Sequence, residues 1–162
     1  GLGTYSLAVC ERFEQATAAV LEIPAVADLG RQFVIQSGLG GRVRFLPGDY
    51  AIDPFPRGQD LVLMCNILHQ EKPSEIRRLF RKAAACLVPH GWLIIHETVL
   101  EEGVTPTLSV ALASLNHLLY FGGQAYSEGQ IAAWLRSQDL EPREVRRHGE
   151  PGTRVILAQK RT

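Results

Sequence analysis

The 162-residue chain lacks most of the features that would assign a function class directly. Its three cysteines, Cys10, Cys65 and Cys86, are far apart, are odd in number and form no CxxC pair. The sequence therefore predicts no zinc or other metal site and no disulfide framework, and we expect reduced thiols in a cytoplasmic protein. No apolar run is long enough to span a bilayer, so no membrane association is expected.

The chain also lacks an excess of charge of either sign. It has 17 basic and 17 acidic residues, for a formal net charge of +0, and this balance excludes a broad electrostatic surface for nucleic acid or anionic lipid. What is present is a 46% share of hydrophobic residues, which at this length is typical of one globular domain with one core.

Hydrophobic spacing divides the chain into alternating helices and strands. The patterns predict helices over about 5–13, 25–37, 73–87, 108–121 and 127–137, and strands over about 17–22, 42–46, 60–68, 92–96, 141–147 and 153–159. Alternation of this kind indicates an α/β fold with a mostly parallel sheet and helices on both faces. The last two strands, joined by a turn at 150–152, are expected to add one antiparallel strand.

The stretch DLVLMCNILHQ, residues 60–70, is the most informative of these segments. Its apolar run predicts a strand buried on both faces. Ligands in open α/β sheets bind beyond the carboxyl ends of the strands, which is where Asn66 and His69 are expected. A single histidine also caps helices or fills packing gaps, so His69 alone leaves both interpretations open.

Three acids, Glu22, Asp49 and Glu97, each follow a predicted strand. A carboxylate accepts hydrogen bonds from both hydroxyls of a ribose, and an acid in this position often does so in nucleotide-binding units. Each acid taken alone is as consistent with a helix N-cap or a solvated loop end. Three of them behind the GLGT segment at residues 1–4 favour a nucleoside site.

The motifs in order make the chain similar to a known family. They are GLGT, then VLEIPAV, RVRFLPGDY, DLVLMCNILHQ, PHGWLIIHE and, before the last amphipathic helix, FGGQAYSEGQ. This set resembles the S-adenosylmethionine-dependent O-methyltransferases of the plant caffeate/flavonoid and hydroxyindole (acetylserotonin) type. The resemblance implies a Rossmann-like class I methyltransferase fold and S-adenosylmethionine (SAM) as the methyl donor.

The resemblance also implies roles for the residues at the cofactor side. The expected SAM-binding residues are Gly1 and Gly3 in the glycine loop, Glu22 at the ribose, Asp49 and Tyr50 beside the adenine, and Cys65 at the end of the central strand. At Cys65 the plant members often have a lysine. Tyr5 stands at the position of the family's third loop glycine.

At the acceptor side, His69 matches the general base and Glu97 matches an acid that orients it. A small, aromatic or polyketide-like hydroxyl acceptor is implied. The expected acceptor-binding residues are Asn66, Asn116, His117 and Tyr120. Gln70 stands where the family usually has an aspartate, and Ala125 replaces the second carboxylate expected near the histidine.

These departures keep a second hypothesis open, in which the chain is a catalytically degenerate methyltransferase fold that acts in binding or assembly. A third hypothesis, a nicotinamide-dependent Rossmann enzyme, is weaker because GLGT lacks the third spaced glycine of that fingerprint.

The family's first strand, in the middle of its sheet, and its N-terminal helical domain, which forms the dimer, both precede the GLGT position. We therefore expect residues 1–162 to be an N-terminally truncated catalytic domain of a longer protein, homodimeric through the missing region.

Overall fold

A computed structural model describes residues 1–149 and 152–162 of the chain. The chain divides into two compact units, Gly1–Phe55 and Pro56–Thr162, which are described in turn. Residues 150 and 151, part of the turn predicted between the last two strands, lie outside the described residues.

The first unit contains two helices and two strands, in the order α1 (Thr4–Arg12), β1 (Ala18–Glu22), α2 (Pro24–Gln36) and β2 (Val43–Pro47). The strands form a parallel pair in which Glu22, the last residue of β1, lies opposite Pro47. Pro24 begins α2, as expected for a residue whose ring fixes φ near the helical value. The buried core consists of Leu7, Cys10, Ala27, Val34, Val43 and Phe45.

Phe45 sets the spacing between β2 and both helices of this unit. A Cβ added at Gly30 in α2 would lie 2.2 Å from the Phe45 ring, and one at Gly3 would lie 3.1 Å from it. Gly3 also has φ of +81° at the start of α1, a conformation that other residues adopt only with strain. Glycine is therefore required at both positions for the helices to approach the strand.

Arg42 ties down the irregular segment between α1 and β1. Its guanidinium Nη1 lies 2.8 Å from the carbonyl oxygen of Cys10, 3.1 Å from that of Phe13, 3.0 Å from that of Glu14 and 3.4 Å from that of Ala16. These carbonyls belong to a helix end and a turn, where main-chain acceptors lack regular partners. The Arg42 side chain thus supplies the hydrogen bonds that a helix or strand would otherwise supply to these carbonyls.

The second unit contains the remaining elements. They are β3 (Gln59–Cys65), a 3-10 helix (Leu68–Gln70), α3 (Pro73–Cys86), β4 (Leu87–Leu100), α4 (Leu108–Phe121), β5 (Tyr126–Ser127), α5 (Glu128–Arg136), β6 (Leu140–Arg147) and β7 (Thr153–Lys160). The strand order is β3-β4-β7-β6, with β5 also paired to β4. β3 and β5 run parallel to β4, whereas β7 is antiparallel to β4 and β6. The α/β fold class, with mostly parallel strands and one antiparallel C-terminal strand, is confirmed.

Two expectations for β3 were wrong. The strand ends at Cys65 rather than at residue 68. Asn66 donates its N–H to the His96 carbonyl at 2.9 Å, and its φ of +56° then turns the chain away from the strand direction. Nor is β3 buried on both faces. Leu61 is 37% exposed, and within the described residues β3 pairs with β4 alone.

The strand predicted over 92–96 is much longer in the structure, and Glu97 lies inside it rather than after it. β4 continues to Leu100 because its neighbours continue as well. Glu97 lies opposite Arg154 of β7, and Val99 lies opposite Tyr126 of the short β5, which was not predicted. Since side chains alternate along a strand, Glu97 faces the interior together with Ile95 and Val99.

Helix α4 has the predicted bounds, with the Thr107 side chain at its N-terminus and Gly122 in a left-handed conformation at its end. Its apolar character is not matched by burial, since Val110 is the one fully buried residue among its described positions. The exposed apolar side chains are Leu108, Leu112, Leu115, Leu118, Leu119, Tyr120 and Phe121. Across the described residues, α4 and the other helices are too short or too polar to cross a membrane.

Candidate functional site

Glu97 is the centre of the side-chain cluster in the second unit. Its side chain is 2% exposed. Oε1 accepts from His69 Nδ1 at 2.6 Å and from the Thr98 N–H at 3.0 Å, and Oε2 accepts from the Leu68 N–H at 2.9 Å. Because a buried carboxylate is costly unless its oxygens are satisfied, these three donors explain how an acid is tolerated inside β4.

The contact with Glu97 determines the tautomer of His69. An ionised carboxylate only accepts hydrogen bonds, so Nδ1 carries the proton and the lone pair lies on Nε2. Among the described residues no hydrogen bond to Nε2 is formed, and the side chain is 13% exposed. His69 therefore has the form required of a general base, with one nitrogen held and the other available.

The 3-10 helix that carries His69 is held by the segment after α4. A Cβ at Gly123 would lie 2.3 Å from the His69 carbonyl oxygen, so the two main chains are in direct contact. The Tyr126 hydroxyl donates to the Glu71 carbonyl at 2.7 Å. Burial is the main reason that the pKa of this phenol is raised, so it remains a donor.

His117 of α4 stacks on His69. The ring centroids are 3.9 Å apart and the ring planes differ by 18°. Burial, and then the neighbouring His69, lower the pKa of His117, which favours a neutral ring. Its Nδ1 is buried and has no hydrogen-bond partner in the described part of the chain.

The remaining residues expected in this unit lie at the end of β3, just beyond it and on α4. Asn66 is exposed just beyond β3, and Asn116 and Tyr120 are exposed on α4. Cys65, the last residue of β3, is half-buried, and burial raises the pKa of its thiol. A neutral thiol does not supply the positive charge of a lysine, so any cofactor contact there is uncharged.

In the first unit, Glu22 ends β1 with its side chain 23% exposed. Its Oε1 accepts from the Ile23 N–H at 2.9 Å, and its Oε2 pairs with the ammonium group of Gly1. The glycine segment that begins α1 therefore lies against this carboxylate. Gly3, in its left-handed conformation, turns the chain into the helix at that point.

Asp49 lies at the same end of the parallel pair as Glu22. The Gly48 N–H donates to the Glu22 carbonyl at 2.9 Å, which extends the pairing of β1 and β2 to this turn. Asp49 Oδ1 accepts from the Ala51 N–H at 2.7 Å, and the Asp49 N–H donates to Asp53 Oδ2 at 2.7 Å. Tyr50 follows in the same turn and is half-buried. Two acids beyond adjacent parallel strands fit the hydroxyls and amino group of a nucleoside.

A family model for the O-methyltransferase domain matches residues 1–140 of the chain. The chain belongs to this O-methyltransferase family. The resemblance inferred from its motifs, to the SAM-dependent O-methyltransferases of the caffeate/flavonoid and acetylserotonin type, is confirmed.

Individual O-methyltransferases are similar along most of the chain. A 3-hydroxy-5-methyl-1-naphthoate 3-O-methyltransferase from Streptomyces sahachiroi is 26% identical, over 98% of this chain and 46% of its own length. A mitomycin biosynthesis 6-O-methyltransferase from Streptomyces lavendulae is 30% identical, over 86% of this chain and 39% of its own length. The chain thus spans less than half the length of these relatives.

A solved structure gives the same result for the fold. An O-methyltransferase family 2 protein from Planctomyces limnophilus, in complex with apigenin, superposes with a TM-score of 0.91 and 29% identity. The match covers 99% of this chain and 48% of that protein. The Rossmann-like class I methyltransferase fold is therefore confirmed.

The structure shows the contacts of two residues that depart from the O-methyltransferase pattern. Ala125 is 4% exposed and its N–H donates to Ser114 Oγ at 3.0 Å, so this position supplies no charge near the histidine. Gln70 turns back on its own loop, where Nε2 donates to the Asn66 carbonyl at 3.2 Å. Among the described residues, Glu97 is the carboxylate that bonds the His69 ring.

Sequence reasoning missed three contacts of the cluster around Glu97 and His69. They are the His69–His117 stack, the Leu68 N–H on Glu97 and the close approach of Gly123 to His69. Gly123 left a signal, since paired glycines directly after an apolar helix mark a tight main-chain approach. The other two contacts join segments 29 to 48 residues apart in the chain and left none.

Proposed function

We propose that the chain is the catalytic domain of a SAM-dependent O-methyltransferase in which His69 is the general base. The observation that carries this proposal is the buried Glu97, which holds His69 Nδ1 at 2.6 Å and leaves Nε2 available for a hydroxyl proton. The histidine takes that proton as the hydroxyl oxygen becomes nucleophilic, and Glu97 stabilises the imidazolium that forms.

Gly1, Gly3, Glu22, Asp49 and Tyr50 are the residues of the first unit that we propose to bind SAM. When bound, SAM supplies a methyl group already activated by its sulfonium, so the protein has to position the acceptor and remove its proton. Glu22 is suited to the ribose because its carboxylate is partly exposed at the strand end. Asp49 is suited to the adenine because it follows the neighbouring strand.

The proposed acceptor is a small aromatic or polyketide-like molecule with a free hydroxyl group. The relatives named above act on a hydroxynaphthoate and in mitomycin biosynthesis, and the Planctomyces protein was crystallised with apigenin. The exposed apolar side chains of α4 offer a surface of matching chemistry, with Asn116, His117 and Tyr120 as its polar contacts. Asn66, beyond the end of β3, completes the proposed set.

His69→Ala is the decisive variant for this function. We expect a loss of about 10²- to 10⁴-fold in turnover, the usual contribution of a general base. Binding of S-adenosylhomocysteine should be unchanged, because no first-unit residue is altered. The measurements are release of S-adenosylhomocysteine with 3-hydroxy-1-naphthoate or apigenin as the acceptor probe, and isothermal titration calorimetry with S-adenosylhomocysteine.

His148→Ala is the matched control, because His148 is an exposed histidine of the same unit. It should leave turnover and binding as they are. Turnover retained in His69→Ala would remove His69 from the role of base. A chain that binds no S-adenosylhomocysteine and shows no turnover would instead support the second hypothesis, a degenerate module for binding or assembly.

We further propose that the chain is the catalytic part of a longer, cytoplasmic protein that forms a homodimer through a region preceding residue 1. Supporting this are the motif resemblance and the share of 46% and 39% of the relatives' lengths that the chain covers. Light scattering during gel filtration of the natural full-length product tests it. A monomeric product would contradict the proposal.

A further inference from the structure

The main-chain segments that carry His117 and His69 are in direct contact. Gly123 presses against the His69 carbonyl, and Gly122 ends α4 five residues after His117. The positions of both histidines therefore depend on this main-chain contact. The stack, at 3.9 Å between centroids, follows from how α4 meets the 3-10 helix.

A single hydrogen bond does not fix the orientation of an imidazole ring. The bond from Nδ1 to Glu97 holds one ring atom, and the ring retains rotation about the Nδ1···Oε1 line through coupled changes in its two side-chain torsions. The residues at the two positions where the family has further carboxylates do not help, because Ala125 is apolar and Gln70 bonds the Asn66 carbonyl. A flat contact on the face of the ring removes that rotation.

The surroundings of His117 favour a neutral ring. Burial, and then the proximity of His69, lower the pKa of His117. His117 therefore presents a neutral ring to His69, and to the imidazolium that forms when His69 takes a proton. A neutral aromatic face next to an imidazolium is a favourable arrangement, as in other cation–π contacts.

We propose that His117 is a positioning residue for His69, whose ring it holds flat from one face while Glu97 holds Nδ1, so that Nε2 keeps one orientation towards the acceptor hydroxyl. This inference rests on the proposed function, since it assigns His117 to the same base. It adds to acceptor binding, the role expected for His117, a second role that acts through His69. It also explains how His69 is oriented with a single carboxylate partner.

The test compares His117→Ala, which removes the stacked ring, with His117→Phe, which keeps a flat ring and removes its nitrogens. The structural readout is the low-field proton resonance of His69 Nδ1–H in the full chain. We expect it to broaden in His117→Ala and to persist in His117→Phe. In turnover with 3-hydroxy-1-naphthoate or apigenin, His117→Ala should lower kcat by about 10- to 100-fold, the scale of a misplaced catalytic group. At saturating acceptor, His117→Phe should lower kcat less than His117→Ala does. The loss of the His117 nitrogens as acceptor contacts should raise KM for the acceptor in both variants, and KM for SAM should not change in either.

Ala111→Gly, at an exposed position of the same helix outside the proposed acceptor surface, is the control for effects on α4 itself. The proposal is overturned if His117→Ala keeps the resonance and kcat of the natural chain. It is equally overturned if folded His117→Phe loses as much of both as His117→Ala. If the natural chain itself shows no turnover, the methyltransferase proposal fails, and the resonance still decides whether His117 positions His69.

Discussion

The carboxylate at the end of β1 and the one inside β4 serve different purposes in the two units. Glu22 is 23% exposed and accepts from the Ile23 N–H and the Gly1 ammonium group, whereas Glu97 is 2% exposed and accepts two N–H groups and a histidine. An acid left partly in water is available to a ligand. An acid surrounded by protein donors is committed to the protein, and it acts on a ligand only through the side chain that it holds.

The difference in burial between the two acids also predicts which of them contributes to stability. Removing a buried, fully paired carboxylate leaves buried donors without acceptors, and each such donor costs about 1–3 kcal/mol. Removing a partly exposed carboxylate leaves its donors to water. The two acids should consequently give different signatures when each is changed.

The largest expected effect comes from Glu97→Gln. The amide NH₂ faces one of the donors that now point at a carboxylate, so either the Leu68 N–H or His69 Nδ1 loses its acceptor. We expect kcat to fall by about 10²- to 10⁴-fold, as when the orienting acid of a catalytic histidine is lost. The free energy of unfolding, measured in urea, should fall by about 1–3 kcal/mol.

Glu144→Gln, an exposed acid of the same unit, is the control and should change neither quantity. If Glu97→Gln has the same kcat as the natural chain, Glu97 contributes to structure only, and the proposed difference between the two acids is wrong.

The next effect is that of Glu22→Ala on the cofactor. Hydrogen bonds to a charged group are worth about 1.5–3 kcal/mol, so affinity for S-adenosylhomocysteine should fall by about 10- to 100-fold. Stability should change little, because both donors that it frees, the Ile23 N–H and the Gly1 ammonium group, are exposed to solvent. Calorimetry measures the affinity and urea unfolding the stability, with the exposed Glu14→Gln as the matched control. Unchanged affinity would remove Glu22 from the proposed site.

A smaller effect is expected from Arg42→Ala, which tests whether stability and site are separable in the first unit. The change leaves the carbonyls of the α1–β1 connection without their shared donor. Because several of them are open to water, we expect a loss of about 0.5–1.5 kcal/mol in the free energy of unfolding. Arg44→Ala removes an exposed arginine two residues away and serves as the control. Equal stability of the two variants would show that the hydrogen bonds of Arg42 to the α1–β1 connection do not stabilise the fold.

The smallest effect is a pH dependence at His117, whose folded-state pKa is lowered mainly by burial. Below the ordinary histidine pKa of about 6.5, the unfolded chain binds a proton at this residue that the folded chain does not. Stability therefore falls as the pH is lowered from 7.5 to 5.5. The groups facing His117 are His69 and Glu97.

His117→Phe removes this titration, so the difference in urea unfolding free energy between it and the natural chain isolates the residue. The natural chain should lose more stability over this pH range than the variant. The same pH response in both proteins would show that His117 is not held neutral by the fold.

Local signals predicted the elements that depend on neighbouring residues. Pro24 begins α2, and Ser127 with Gln130 forms the capping box that starts α5, with both reciprocal hydrogen bonds present. Helix α4 has the predicted bounds because a threonine cap and a glycine stop lie next to it in sequence. The acids Glu22 and Asp49 followed from the same reasoning, since each ends a strand or a turn that the pattern marks.

The predictions that were wrong concern strands whose length and burial depend on partners elsewhere in the chain. The length of β4 is set by β7 and β5, so that Glu97 is paired inside the sheet rather than left at a strand end. The exposure of Leu61 follows from the strands that pair with β3 and not from its own apolar run. Long-range pairing of this kind has no marker in the residues themselves.

By itself the amino-acid sequence determined the α/β order, the helix boundaries, the family motifs and the residue types available for chemistry, because each rests on spacing or on adjacent residues. The tertiary structure alone decided that Glu97 is buried and fully paired, that His69 presents Nε2 and that His117 lies flat on His69. The physical reason is that hydrogen bonds and ring contacts require angstrom-scale placement of segments distant in the chain, which only packing of the whole unit provides.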